Sequence, residues 1–160
     1  MSVADAPRPL SDLVDDGTIV MFMTMIGEEH SSRPLTVSGV EGDRLSFLVD
    51  RTASWVGAVR SGGAAIHLTV SDNRHHTYLS LDGAASLSDD RQEIEELWSA
   101  PAGAYFDGKD DPNLTVLRVD VGGGEYWSSP SGRIGAALGM VRAAVSNDPT
   151  KAGDHGRVEA

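Results

Sequence analysis

The sequence predicts a mainly β (α+β) protein, a small barrel of about six to seven antiparallel strands with a few peripheral helices. Short runs of apolar and β-branched residues recur along the chain, separated by turn-forming segments such as Gly27-Glu28-Glu29 and Glu41-Gly42-Asp43. Between these runs, a few segments change to the three-to-four-residue apolar spacing of helices. Many short strands with few helices are typical of a small barrel.

The first half of the chain predicts a helix, a three-stranded antiparallel meander and a second helix. Arg8 to Asp16 has the spacing of a short amphipathic helix. The three strands of the meander are predicted at Ile19 to Ile26, Arg33 to Val40 and Arg44 to Asp50. Thr52 to Arg60 returns to helical spacing, with Trp55 and Val59 on one side and Gly62-Gly63 as a stop signal.

The second half predicts four further strands and two helices. The strands are predicted at Ala64 to Val70, His76 to Leu87, Leu114 to Val119 and Glu125 to Ser128. Helical spacing covers Asp89 to Trp98 and Ser131 to Val145. Gly122-Gly123-Gly124 predicts a hairpin turn between the last two strands. Residues 1–145 are therefore interpreted as a single domain, and 146–160 as a polar, mobile C-terminal tail.

Composition excludes several classes of partner and chemistry. The chain has 160 residues, with 24 acidic and 13 basic side chains and a net charge of −11, which disfavours nucleic acid and anionic membranes. The absence of a signal peptide pattern or a long apolar run predicts a cytoplasmic protein. The absence of cysteine excludes disulfides, thiolate nucleophiles and zinc-thiolate sites.

Motifs that could suggest metal binding or hydrolysis favour structural interpretations. Asp107 to Pro112 is rich in carboxylates, but its spacing is not that of a calcium loop and Pro112 favours a turn. His67, His75 and His76 are interpreted as surface residues, so no metal site is expected. No serine has a supporting triad that is visible in the sequence.

A candidate phosphate site involves Arg33 and the corner that follows the third predicted strand. Arg51, Thr52 and Ser54 lie at this corner, where a helix is predicted to begin. Adjacent strands would bring Arg33 close to it, and a guanidinium with hydroxyls at a helix N-terminus suits a phosphate. In the alternative interpretation, Arg33 pairs with one of the many carboxylates, while the two hydroxyls cap the helix.

Aromatic residues concentrate in the last third of the chain. Five of the nine lie between Glu95 and Gly132, namely Trp98, Tyr105, Phe106, Tyr126 and Trp127. Such a cluster can wall a planar ligand or fill a core, and the sequence leaves both possibilities open.

Several motifs follow one another in a distinctive order and spacing. They are Arg-Pro-Leu at 33–35, Leu-Ser-Phe-Leu-Val-Asp at 45–50, Tyr-Leu-Ser-Leu-Asp-Gly-Ala at 78–84, Gly-Lys-Asp-Asp-Pro at 108–112, Glu-Tyr-Trp at 125–127 and Ser-Pro-Ser-Gly at 129–132. With them the chain resembles the pyridoxamine 5′-phosphate oxidase-like superfamily of flavin-binding split barrels, especially its general stress protein 26 branch. The resemblance extends from Leu10 to Val158.

The resemblance implies a homodimer of split β-barrels that binds FMN in clefts at the subunit interface and acts on a small-molecule redox substrate. Arg33, Pro34 and Leu35 are implied to lie along the isoalloxazine and ribityl portion. The residues implied to present backbone groups to the ring edge are Phe47, Leu48, Val49 and Asp50. Thr52 and Ser54 would approach the phosphate, with Arg51 nearby. Trp127 is similar to the family's aromatic residue near the flavin, and Trp98 would wall the pocket from either subunit.

One departure from the family pattern concerns Trp55, which stands where relatives commonly have a lysine. Loss of one charge-assisted hydrogen bond, about 1.5–3 kcal/mol, would weaken FMN about tenfold to a hundredfold unless Arg51 or Arg60 substitutes. The indole either stacks on a ring or packs under the helix with Val59.

Two other functions therefore remain open. The first is a split-barrel reductase that uses the deazaflavin F420, and the second is a non-catalytic flavin-binding or interaction protein. No catalytic acid or base is identifiable in the sequence, and the pyridoxamine-phosphate signature of the true oxidases is not recognisable. The leading interpretation is an FMN-dependent oxidoreductase of unknown substrate, with a stress-related role implied only by the family.

Overall fold

The computed structural model of the protein describes residues 7–60, 64–128 and 154–159. In these ranges the strands are β1 (Arg8–Pro9), β2 (Ile19–Ile26), β3 (Glu29–Thr36), β4 (Gly39–Glu41), β5 (Arg44–Asp50), β6 (Ala64–Asp72), β7 (Thr77–Ser88), β8 (Leu114–Ser128) and β9 (Asp154–Glu159). The α-helices are α1 (Ser54–Arg60) and α2 (Arg91–Leu97), and short 3₁₀ segments cover Leu10–Asp12 and Ala100–Ala104.

The strands form one sheet in the order β1-β9-β8-β7-β6-β2-β3, and β5 joins it by pairing with the first half of β8. The short strand β4 pairs with β5. All the described pairs are antiparallel except that of β1 with β9. The mainly β (α+β) fold with few helices is therefore confirmed.

The sequence predicts strand positions better than strand pairing. β2 and β5 have the bounds predicted from their alternation, and β2 pairs with β3 as predicted. The predicted second strand, Arg33 to Val40, is divided between β3, which pairs with β2, and β4, whose Gly39 and Val40 pair with β5, so the meander is confirmed only in these parts. Along its whole length β5 pairs with β8, a pairing that the sequence does not predict. The partner of β5 is a strand far along the chain, and local alternation carries no information about such a pairing.

The predicted helix from Arg8 to Asp16 is wrong, although its apolar side is buried. Arg8 and Pro9 are extended and pair with β9, and Pro9 has the extended angles φ −66° and ψ 148°. Only one 3₁₀ turn follows. Leu10 and Val14 nevertheless lie in the main core, so the segment covers the sheet with the side chains that the pattern indicates.

The predicted turn at Gly122-Gly123-Gly124 is also wrong, because these glycines lie within the single strand β8. Gly123 is opposite Asp82 and Val121 is opposite Gly83, so Gly122 is an extra residue and β8 is bulged there. A Cβ on Gly83 would lie 2.7 Å from the carbonyl oxygen of Asp120. The glycines thus allow two long strands to approach closely where they bend.

Two apolar clusters lie on opposite faces of β5. Phe47 and Val49 point into the main core, which is formed by the inner sides of the sheet and by α1. Leu48 packs on a second cluster, in which Ile94 of α2 contacts residues of β8. Successive side chains of β5 therefore belong alternately to the main core under α1 and to the second cluster under α2.

The prediction of a mobile tail is wrong for residues 154–159. They form β9, which lies between β1 and the second half of β8. The polar, alternating residues of this segment resemble a tail in composition, but they pair with strands distant in sequence. The predicted helix at 131–145 lies outside the described residues. Among the described residues, no helix combines the length and the apolar character needed to span a bilayer.

Candidate functional site

Arg33 lies on the inner side of β3 and stacks on the indole of Trp55. Its strand neighbour is Phe22, which is fully buried, so both side chains are on the same face of the hairpin. The guanidinium carbon lies 4.5 Å from the centroid of the Trp55 ring. Nη1 and Nη2 each donate to Oγ1 of Thr24 at 3.2 Å, and Nη2 also donates to Oγ of Ser31 at 2.8 Å.

The charge of Arg33 is not balanced by a carboxylate in the described parts of the chain. Other arginines do form ion pairs, namely Arg44, Arg51, Arg60 and Arg118. Arg33 is half-buried, and this burial lowers its pKa from the usual value because solvent is removed from the cation. The alternative in which Arg33 pairs with a carboxylate is therefore not observed among the described residues, and a cation remains for an anionic ligand.

Trp55 combines the two roles that the sequence leaves open. Its ring lies 5.6 Å from that of Phe22 at an interplanar angle of 49°, and the residue packs against the main core. Its remaining face supports Arg33. The indole is thus packed beneath α1 and at the same time fixes the position of a guanidinium through a cation–π contact.

The corner after β5 is organised by Asp50. Oδ1 of Asp50 accepts hydrogen bonds from the hydroxyl of Thr52 at 2.6 Å and from its backbone N–H at 2.8 Å. These two bonds lower the pKa of Asp50. Ser54 is the exposed first residue of α1. The hydroxyl of Thr52 is therefore engaged locally, whereas Ser54 faces solvent beside Trp55.

Arg51 and Arg60, which could replace the missing lysine, both contact Asp89. Arg51 Nη2 lies 2.8 Å from Asp89 Oδ1, and Arg60 Nη1 lies 3.6 Å from Oδ2. Asp89 also accepts from Thr115, and this hydrogen bond is the main reason why the pKa of Asp89 is lowered. The two arginines are thus committed to a site at the start of α2 and do not join Arg33.

The other residues predicted from β3 and β5 are only partly accessible. Leu35 packs against the main core, whereas Pro34 is exposed on the outer face of β3 opposite Met21. Phe47 and Val49 are core residues, so their side chains do not line an open cleft. Their main-chain groups face β8, as do those of Asp43 and Arg51 at either end of the strand. The opposite edge is not paired with β4 beyond Ser46, and there the Leu48 N–H donates to Oγ of Ser38.

Trp98 and Trp127 are separate from Arg33 within one chain. Trp98 packs with Phe106 against the cluster under α2, on the face of β5 that carries Leu48. Trp127 lies on β8 opposite Tyr78 and is 40% exposed. One chain therefore brings together Arg33 and Trp55, but not the two other tryptophans.

An exposed apolar surface lies on the outer side of β2. We call it the methionine face, and it consists of Ile19, Met21, Met23 and Met25. Ile19 is 64% exposed, Met25 59% and Met21 44%. Apolar residues at alternate positions of a strand normally pack against another layer, so this face is chemically unusual for a surface exposed to water.

Sequence reasoning missed Thr24, which is fully buried and holds the guanidinium of Arg33. The available signal was its position, since Thr24 is a polar residue at an inward position of β2 after Val20 and Phe22. Among the described residues, no group of three or more histidine and acidic side chains is arranged to hold a metal ion.

Comparison with known families gives a match over nearly the whole chain. Residues 5–150 match the family model described as pyridoxamine 5′-phosphate oxidase like. A curated relative, general stress protein 26 of Bacillus subtilis (strain 168), is 35% identical over 43 residues. That match covers 27% of this chain and spans 31% of the length of the relative.

Solved structures with the same fold include proteins described as general stress proteins. General stress protein 26 from Jannaschia sp. CCS1 has a TM-score of 0.75 at 23% identity, and the match covers 93% of this chain and 94% of that one. The general stress FMN/FAD binding protein from Xanthomonas citri has a TM-score of 0.63 at 26% identity, with 72% and 83% covered. A structure described as F420 reductase has a TM-score of 0.55 at 14% identity, with 72% and 95% covered. The split-barrel fold that the resemblance implies is confirmed by these neighbours.

Proposed function

The chain belongs to the pyridoxamine 5′-phosphate oxidase-like family, and from this premise we propose that it is an FMN-binding flavoprotein with oxidoreductase activity on a small molecule. The observation that carries the proposal is Arg33, a half-buried guanidinium that has hydroxyl and aromatic partners and no carboxylate partner in the described parts of the chain. A phosphate would supply the missing negative charge.

The phosphate end of the ligand requires a local cation, because the net charge of −11 repels anions elsewhere. Arg33 is preorganised for this role: Trp55 supports one side of its planar group, and Thr24 and Ser31 fix its orientation. Arginine presents parallel N–H donors that match two phosphate oxygens. Ser54 lies next to Trp55 in sequence and would add a hydroxyl donor.

The residues around Arg33 suit the flavin phosphate better than the number of cations there suggests. Trp55 replaces the lysine of relatives and removes one charge, but its stacking restricts the rotation of Arg33. Restricting a side chain in its binding conformation lowers the entropic cost of binding. We therefore expect one well-oriented arginine to compensate in part for the second cation.

When bound, the flavin would supply hydride transfer, and the protein would supply binding, orientation and exclusion of water. In this proposal Arg33 holds the phosphate, and the edge of β5 beyond Ser46 offers the carbonyl group of Leu48 to the ring edge, since the Leu48 N–H donates to Oγ of Ser38. No described side chain is assigned as a catalytic acid or base for the redox step.

We further propose that the functional unit is a homodimer with the cofactor cleft at the interface. The methionine face offers an apolar surface on each copy, and a second copy would bury it. Trp98 and Trp127 lie away from Arg33 within one chain, so a neighbouring copy is required if either contributes to the same cleft.

The decisive experiment is equilibrium titration of the protein with FMN. We expect Arg33→Ala to weaken binding about tenfold to a hundredfold, since one charge-assisted contact is worth about 1.5–3 kcal/mol. Arg33→Lys should fall between wild type and Arg33→Ala, because lysine keeps the charge and loses the planar fork.

Arg74→Ala is the matched control, because it removes an exposed positive charge from the turn between β6 and β7. Equal affinities of the Arg33→Ala and Arg74→Ala variants would overturn the phosphate assignment. Retention of FMN without turnover by nicotinamide donors would instead favour a storage or sensing role over an enzyme.

A deazaflavin cofactor, F420, is the second candidate. The specific observation in its favour is that Arg51 and Arg60 are engaged by Asp89, which leaves the candidate phosphate site without the second cation typical of relatives. Titration of the same protein with both cofactors separates the two proposals. Binding of neither would favour an interaction module.

A further inference from the structure

A hydrogen-bonded row of Ser80, His67 and Asp82 lies on the outer face of the sheet. Nδ1 of His67 is 2.7 Å from Oδ1 of Asp82, and Nε2 of His67 is 3.1 Å from Oγ of Ser80. His67 is on β6, and the other two residues are on β7, where Asp82 is directly opposite His67. The two ring nitrogens therefore contact two different partners at the same time.

These contacts determine which nitrogen of a neutral imidazole carries the proton. A carboxylate only accepts hydrogen bonds, so Asp82 requires the proton on Nδ1 of His67. Nε2 then has a free lone pair, and it accepts the hydroxyl hydrogen of Ser80. This is the arrangement of roles in a serine–histidine–aspartate triad, which is recognised by geometry and not by position in the sequence.

We propose that Ser80 is an activated nucleophile that accepts acyl groups from activated esters, with His67 as its general base and Asp82 as the positioning residue. The Ser80 oxygen forms a bond to the carbonyl carbon while its proton passes to Nε2 of His67. The bond between the carbonyl carbon and the leaving oxygen then breaks, and His67 returns the proton to that oxygen. The products are acyl-Ser80 and the free alcohol, with no oxidant or reductant needed.

The surroundings of the row define what can reach it. Met23 of the methionine face is opposite His67, and Glu125 of β8 is opposite Ser80. The side chain of Asp82 is 80% exposed and that of His67 32%. An acyl group would therefore approach from solvent, between the apolar side chain of Met23 and Glu125, which is itself opposite Arg157 of β9.

The sheet also limits the reaction. β6 and β7 each have a strand on both sides, so their backbone N–H groups are used by the ladders and do not point at an acyl oxygen. Removal of an oxyanion donor alone costs about 10²–10³ in rate. We therefore expect both acylation and deacylation to be slow. Acylation of Ser80 by an activated ester should still be measurable, because its leaving group departs far more readily than the serine oxygen does in deacylation.

The test uses p-nitrophenyl acetate with the full chain, with or without FMN, because the site does not depend on a flavin. We expect a burst of about one p-nitrophenolate per chain and an acetyl group that peptide mapping by mass spectrometry assigns to Ser80. Ser80→Ala should abolish the burst, and His67→Gln should slow it about a hundredfold.

Ser86→Ala is the matched control, because Ser86 lies on the same strand and face and is opposite Arg118. It should acylate like wild type. For Asp82→Asn, nitrogen chemical shifts of the His67 ring should report a change from the Nδ1-protonated tautomer, together with slower acylation.

Acetylation of Ser80 no faster than that of Ser86, or an unchanged rate in His67→Gln, would overturn the proposal. A wild-type ring of His67 protonated on Nε2 would overturn it as well.

Discussion

The ion pair between Glu93 of α2 and Arg118 of β8 connects α2 to the sheet. Arg118 donates from Nε to Oε1 of Glu93 at 2.9 Å and from Nη2 to the other carboxylate oxygen. These hydrogen bonds lower the pKa of Glu93 and raise that of Arg118. A carboxyl whose pKa is lowered on folding stabilises the folded state at pH values above its ordinary pKa of about 4.3. This stabilisation is lost as the pH falls through the lowered pKa.

We expect Glu93→Gln to lower the free energy of unfolding by about 1–2 kcal/mol at neutral pH. The difference from wild type should begin to shrink as the pH falls below about 4, where the carboxyl of the unfolded chain takes up a proton, and should disappear below the lowered pKa of folded Glu93. Urea denaturation at several pH values measures it. Glu95→Gln is the control, since its partner Lys109 and Glu95 itself are both well exposed, and its effect should be much smaller. A loss that does not vary with pH would contradict the explanation.

At the candidate site, the sequence indicates which residue carries the charge but not what holds it. Arg33 could be selected because it begins a predicted strand in a very acidic chain, although in the structure it lies inside β3 (Glu29–Thr36). Its partners Thr24 and Trp55 come from β2 and α1, and neither strand alternation nor helical spacing indicates that their side chains meet. Likewise, Ser80 and His67 form a row only because β6 and β7 pair in one particular register.

Among the strands, β8 is the element whose form depends most on glycine. A Cβ on Gly124 would collide with the backbone carbonyl oxygen of Ser80 and with Leu81, and Gly124 also has a φ of +159°. A Cβ on Gly122, two residues away, would lie 3.9 Å from its nearest neighbour, the carbonyl oxygen of Asp82. The bulge therefore tolerates a side chain at one glycine and not at the other.

We expect Gly124→Ala to destabilise the protein by about 1–3 kcal/mol, since the added methyl group must displace main-chain atoms of β7. Gly122→Ala should change stability by less than about 1 kcal/mol. Thermal unfolding of both variants compares them. Equal losses would mean that the glycines matter for chain flexibility in general and not for the close approach at Ser80.

The predictable and unpredictable elements differ in the range of the interactions that form them. β2 and β5 follow from alternation within eight and seven residues, which is a local property. The glycine run looks like a turn and the C-terminal segment like a tail, because β8 and β9 are stabilised by strands far away in sequence. Pairing of that kind is invisible to any local window.

For the whole molecule, the inner and outer faces of the sheet have different roles. The inner face contains the core and Arg33, and the outer face carries the methionine face and the Ser80 row. If a second copy covers the methionine face, Met23 and the adjacent His67 approach the interface. Dimerisation would then shield from solvent the side of the Ser80 row that faces β2, whereas Asp82 would stay accessible to solvent on the side that faces β8.

The dimer proposal makes a prediction that links assembly to cofactor binding. Met25 is 59% exposed within the methionine face, so Met25→Glu should leave the folded chain intact while placing a charge in the proposed interface. We expect light scattering to show a dimer for wild type and a shift toward monomer for the variant, because a buried unpaired charge is costly. FMN affinity should fall with it if the cleft is shared between copies. Tyr105→Glu, at a residue that is 83% exposed outside this face, is the control and should change neither quantity. A wild-type monomer that binds FMN would instead restrict the cofactor site to one chain, and Trp98 and Trp127 would then have no part in it.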